Sequence, residues 1–172
     1  MAITVGIEDG ARIYRKGEQM ERKHRKPSQM LTVGEKAPNF SLPDQSQNVT
    51  TLDKFRGRKN VVLVFYPRDN TPGCTKQLCG IRDEFDLFTN NDIVVLGISP
   101  QDSASHRRFV NRHGFPFRLL VDRDRKVVSA YGCRGTLVTK RTVYGIDRQG
   151  AIVFARRGMP SSEDILEAFK ER

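Results

Sequence analysis

The sequence predicts an α/β fold in which helices cover both faces of a single mixed sheet. Three observations lead there. The runs at 60–66 and 92–99 are apolar almost throughout (Val61-Val62-Leu63-Val64-Phe65 in the first, Ile93-Val94-Val95-Leu96 in the second), as strands shielded on both faces must be. Helix-type stretches follow each run, so strand and helix alternate as in a crossover. A hairpin pattern and one last amphipathic segment close the chain.

Element by element, Phe40-Ser41-Leu42 and Asn48-Val49-Thr50 read as a short hairpin across a polar turn, and 53–55 as one helical turn ending at Gly57. Residues 60–66 are a buried strand. Residues 72–90 then form one helix, with Pro72 at its start and Leu78, Ile81, Phe85 and Phe88 recurring near the helical period. Residues 92–99 are the second buried strand. Asp102 caps a helix that runs to His113 and stops at Gly114. A short strand at 118–122 and a short helix at 125–131 come next. Residues 141–147 and 151–157 pair across Arg148-Gln149-Gly150. Ser161 or Ser162 caps a final helix towards Lys170, with Glu163 and Asp164 in its first turn.

The 172 residues are 37% hydrophobic, enough for one domain with a core of its own. That domain is expected over 30–172. Residues 1–29 read as a polar, basic tail, either an extension or a poorly ordered arm; Glu8, Asp9, Glu18 and Glu21 stand there among seven Lys or Arg. No run approaches the roughly 18 apolar residues of a membrane span, and no apolar signal core opens the chain. A cytoplasmic protein with no membrane partner is the expectation. The net charge of +10 is spread along the chain, so a solvated basic surface is the plain reading and nucleic acid is not the expected partner. Three cysteines, Cys74, Cys79 and Cys133, are too few for a secreted disulfide scaffold. With His24, His106 and His113 they give no zinc-type spacing, so neither a metal nor another cofactor is expected. The histidines read as surface residues, His106 lying beside Arg107 and Arg108.

Chemistry concentrates at Cys74. It stands where a strand hands over to a helix, in the run Tyr66-Pro67-Arg68-Asp69-Asn70-Thr71-Pro72-Gly73-Cys74-Thr75. Free N–H groups and partial positive charge at a helix N-terminus favour the thiolate over the thiol, whose ordinary pKa is about 8.5. Ligand sites in such sheets gather at the carboxyl ends of strands, where this turn lies. Gly73 lets the backbone approach a small ligand closely, and N–H groups around it face a departing oxygen.

The spacing Pro67-x-x-x-Thr71-x-x-Cys74, the fuller run Thr71-Pro72-Gly73-Cys74-Thr75, and Cys79 five residues on resemble the peroxiredoxins, in particular their peroxiredoxin Q (bacterioferritin comigratory protein) group. Arg141-Thr142 at the start of a late strand, followed by an acidic turn at Asp147, resembles that group as well. The likeness covers 31–172. It implies a thioredoxin-like fold and a thiol peroxidase that reduces hydrogen peroxide and organic hydroperoxides. Cys74 would be the peroxidatic cysteine and Cys79 the resolving one. Thr71 and Arg141 would donate to sulfur or peroxide, and Pro67 would shield the thiolate. The resemblance also implies recycling by thioredoxin or a similar dithiol donor, and a monomer, since both thiols lie in one chain.

Geometry adds a constraint. Helical residues five apart are offset by about 140° and rise about 7.5 Å, which puts their Cα atoms beyond the roughly 7 Å reach of a disulfide. Cys74 and Cys79 therefore join only if about 72–80 unwinds, and Gly80 weakens the helix there. Cys133 reads as an incidental thiol, or alternatively as a secondary redox partner. Two other functions compete. A disulfide reductase or isomerase needs Cys-x-x-Cys, and the spacing here is longer. A nucleic-acid module rests on charge alone, with no recognition motif beside it.

Overall fold

A computed structural model of the protein describes residues 29–170. The tail expected over 1–29 lies outside them apart from Gln29, as do the last two residues of the expected domain. Strands β1 (Ser41–Pro43) and β2 (Val49–Thr51) form the first hairpin. Asp44 closes its turn, its Oδ1 accepting from the N–H of Ser46 at 2.8 Å and of Asn48 at 3.0 Å. One 3-10 turn, Leu52–Phe55, leads to β3 (Asn60–Phe65). Then come α1 (Pro72–Asp83), α2 (Phe85–Thr89), β4 (Ile93–Ser99), α3 (Ser103–His113), β5 (Arg118–Val121) and α4 (Lys126–Ala130). Strands β6 (Thr142–Ile146) and β7 (Ile152–Arg157) and helix α5 (Ser162–Lys170) complete the chain.

The main sheet has the order β5-β4-β3-β6-β7. Strands β3, β4 and β5 are parallel, while β6 and β7 run antiparallel to their neighbours. This is the mixed, thioredoxin-like sheet the sequence predicts. Alternation along β3 divides the interior into two layers. Val61, Leu63 and Phe65 enter one core with Leu42, Val128 and Tyr131. Val62, Val64 and Tyr66 enter the other with Leu78, Phe109 and Ile165. Helices α1, α3 and α5 thus cover one face; α4 and the first hairpin cover the other.

One element differs from expectation. The stretch 72–90 is two helices, broken at Glu84 with φ −110° and ψ 17°. Phe85 and Phe88 keep the apolar spacing across the break: Phe88 is buried, and Phe85 packs 5.9 Å from the ring of Phe117. The pattern that builds the core is continuous, so periodicity gives no sign that the backbone is not. Helix α3 matches its predicted limits. Asp102 accepts from the N–H of Ser105 at 2.8 Å, and Gly114 ends the helix in the left-handed region at φ 64°, where glycine carries no steric cost.

Candidate active site

Register positions the site. Phe65 on β3 pairs with Thr142 on β6. The next residues outward, Tyr66 and Arg141, therefore lie side by side, on the sheet face that carries α1. Pro72 occupies the first position of α1, and Cys74 sits in its first turn. Thr71 is the N-cap and makes no side-chain cap bond. The N–H groups of Gly73 and Cys74 lie too early in the helix for an intrahelical acceptor and point towards its N-terminal end.

Cys74 is fully buried. Arg141 Nη2 donates to its Sγ at 3.4 Å, and a guanidinium at that distance stabilises negative charge on sulfur. Nη1 of the same guanidinium donates to Gln77 Oε1 at 2.7 Å. Gln77 Nε2 in turn donates to the carbonyl of Gly158 at 3.5 Å. Gln77 thus holds the guanidinium over the sulfur, one helical turn past Cys74. A Cβ at position 73 would stand 3.0 Å from Arg141 Nη2. Glycine there leaves the guanidinium its room.

The Thr71 hydroxyl takes a different partner from the sulfur. It donates to the carbonyl of Arg68 at 3.1 Å and braces the strand-to-helix loop. Pro67 borders an open pocket of about 540 Å³ beside Arg68, Thr71 and Pro100, at the carboxyl ends of β3 and β4. Cys79 lies farther along α1, half-buried, its Sγ 3.9 Å from His113 Nδ1. All three cysteines are free thiols, and α1 is unbroken between Cys74 and Cys79. The structure thus brings Cys74 and Arg141 together and keeps Cys79 apart. A second cavity, about 310 Å³ at the amino ends of β3 and β4, touches none of these residues.

A buried polar network pins the loop from below. Tyr66 Oη donates to Asp69 Oδ1 at 2.8 Å. Ser105 Oγ donates to Asp69 Oδ2 at 2.7 Å, and His106 Nδ1 lies 2.8 Å from the same oxygen. His106 Nε2 lies 3.2 Å from the carbonyl oxygen of Leu120. Burial, and then the Asp69 carboxylate, hold the Tyr66 phenol well above its ordinary pKa, so it stays a donor. The surface expectation for His106 is corrected here: the residue is fully buried. Arg107 and Arg108 misled because helical neighbours point about 100° apart. Phe109, three positions on and buried, marks the face that His106 shares. His113 is half-buried, and His24 lies outside the described residues.

Cys133 is also fully buried, and burial pushes its thiol up to about 11. A thiol with a raised pKa stays protonated at neutral pH and reacts slowly. Alkylation of the reduced native protein at about pH 8 should therefore modify Cys79 well before Cys133. Equal labelling of the two, read by peptide mass spectrometry, would contradict this.

The sequence profile of the AhpC/TSA family matches residues 33–155. The chain belongs to that family. Chloroplastic peroxiredoxin Q of Oryza sativa subsp. japonica is 43% identical over 128 residues, 72% of this chain and 58% of the rice protein. The chain therefore spans little more than half the length of that relative. Peroxiredoxin Bcp of Bacillus subtilis is 31% identical over 148 residues, 81% of this chain and 94% of its own. Among solved structures, peroxidoxin BcpB of Mycobacterium tuberculosis superposes with a TM-score of 0.77 at 28% identity, covering 83% of this chain and 98% of that one. A structure of the Xanthomonas campestris bacterioferritin comigratory protein, described for its alkyl peroxide reduction activity, gives 0.71 at 26% identity over 77% and 90% of the two chains. These relatives place the chain in the peroxiredoxin Q and Bcp group. Among the described residues of this peroxiredoxin, no helix is long and apolar enough to cross a membrane.

Proposed function

We propose that the protein is a thiol peroxidase that reduces hydrogen peroxide and organic hydroperoxides, with Cys74 as nucleophile and Cys79 as resolving thiol. The contact between Arg141 and Cys74 carries this reading: a guanidinium held on a sulfur at a helix N-terminus, in the fold of a family whose Xanthomonas member reduces alkyl peroxides. The thiolate attacks the distal peroxide oxygen. A sulfur–oxygen bond forms as the O–O bond breaks, and the leaving alkoxide or hydroxide takes a proton from solvent. Arg141 stabilises charge on the sulfur and then on the departing oxygen, together with the N–H groups of Gly73 and Cys74. Thr71, fixed to the loop backbone, orients the peroxide, and Pro67 walls off bulk solvent.

Cys74 becomes a sulfenic acid. The Cys79 thiolate attacks that sulfur; the disulfide bond forms as the sulfur–oxygen bond breaks, and the departing hydroxide takes a proton from solvent. Thioredoxin or a similar dithiol donor restores both thiols by exchange. Both cysteines stand in one chain and no step draws on a cofactor, so a monomer completes the cycle. Peptide mass spectrometry after one equivalent of hydrogen peroxide tests the pairing. A Cys74–Cys79 link with Cys133 still reduced is expected; a link through Cys133 would refute the assignment.

The disulfide requires α1 to open over its first turns. Gly80 lies on this segment, and a Cβ added there would meet no atom within 4 Å. Gly80→Ala should stabilise the helix by about 1 kcal/mol and slow disulfide formation about fivefold. The first oxidation should keep its rate. Stopped-flow fluorescence or quenched mass analysis separates the two steps, and an unchanged second step would show that opening of α1 does not limit it.

A further inference from the structure

The pocket beside Thr71 holds polar atoms that the steps above do not use. Nε and Nη2 of Arg125 and Oγ1 of Thr139 are buried with no hydrogen-bond partner among the described residues. Both side chains line the pocket, and no carboxylate among the described residues does. Unpaired buried donors are rare in native proteins because each forfeits its hydration. Arg125 also adopts a left-handed backbone, φ 59° and ψ 28°, a region a side chain with a Cβ seldom enters. Pro67, Pro100, Val138 and the exposed Leu137 supply the apolar part of the lining, alongside Arg68 and Gln101. The loop that carries Leu137 is itself ordered, with Gly135 N–H donating to Val138 O at 3.0 Å and Lys140 N–H to Cys133 O at 2.7 Å.

The two unpaired nitrogens of Arg125 belong to one edge of the guanidinium, the edge that grips a carboxylate through two parallel hydrogen bonds. The Thr139 hydroxyl offers a third donor. We propose that Arg125 and Thr139 form a carboxylate-binding subsite, selecting organic hydroperoxides that carry a carboxylate on an apolar body. The subsite rests on the peroxidase reading, since Thr71 is shared between this pocket and the N-terminus of α1. The carboxylate would anchor on Arg125, and the apolar body would lie along the proline and Leu137–Val138 walls with its hydroperoxyl end towards Cys74.

Single-turnover oxidation with para-carboxycumene hydroperoxide, its methyl ester and hydrogen peroxide tests the subsite. In the wild-type protein the acid should react about tenfold faster than the ester, the scale of a charge-assisted pair of hydrogen bonds. Arg125→Gly suits the left-handed backbone and should bring the ratio of acid to ester close to one. Arg125→Lys keeps the charge without the fork and should restore part of the preference. Circular dichroism and melting curves confirm that the variants fold. Equal rates for acid and ester in the wild-type protein, or a ratio that survives in Arg125→Gly, would overturn the subsite while hydrogen peroxide consumption leaves the peroxidase reading standing. A wild-type protein inert to hydrogen peroxide would overturn that reading, and the subsite's substrate class with it.

Discussion

Cys74→Ser is expected to abolish peroxide turnover with every reductant, a loss of more than about 10⁴-fold, as when a covalent nucleophile is removed. The geometry leaves no substitute. Cys133 is buried with its thiol pushed up to about 11. Cys79 lies more than a helical turn away, against His113. A serine hydroxyl at position 74 would still face Arg141 and the free N–H groups, but an alkoxide is not populated near neutral pH. The fold should survive, since the change replaces a buried sulfur by a smaller oxygen beside a donor. Melting curves within a few degrees of wild type, combined with no activity, are the result to look for. Substantial peroxidase activity in this variant would end the proposed mechanism.

Arg141→Met should lower the rate constant of the first oxidation about 10²-fold, the usual cost of one preorganised donor at a developing charge. Two effects add. The sulfur loses the cation 3.4 Å from it, and the departing oxygen loses a donor. Arg141→Lys should recover only part of this rate. An ammonium cannot serve Cys74 and Gln77 at the two distances the fork spans. Gln77→Leu offers a finer comparison. It leaves the guanidinium in place but removes the amide that aims it, so a smaller loss is expected, about five- to tenfold. An Arg141→Met protein that reacts with peroxide as fast as wild type would show that the contact is structural alone.

Much of this arrangement is legible in the amino-acid sequence. The apolar runs at 60–66 and 92–99 declare buried parallel strands, and Pro72-Gly73-Cys74 after the first of them fixes a thiol at a helix start. Long-range partners are harder to read. Arg141 and Cys74 are 67 residues apart, and only the β3–β6 register brings them together. Gln77 is within reach of sequence reasoning, because it follows Cys74 by one turn on the same helix face. His106 is within reach through its spacing to Phe109, but local charge pulls the reading towards solvent. The break at Glu84 is not legible, because the apolar spacing continues through it. Nor are Arg125 and Thr139: a left-handed arginine and a hydroxyl without a partner among the described residues arise only where separate loops meet.

The most direct measurement is single-turnover oxidation of Cys79→Ser with one equivalent of hydrogen peroxide in the presence of dimedone, followed by peptide mapping. With no resolving thiol the sulfenic acid persists long enough to be trapped. One dimedone adduct per chain, confined to the peptide that carries Cys74, is the expected result. Peroxide consumed without an adduct at Cys74, or an adduct at Cys133 instead, would contradict the assignment of Cys74 as the sulfur that cleaves the peroxide.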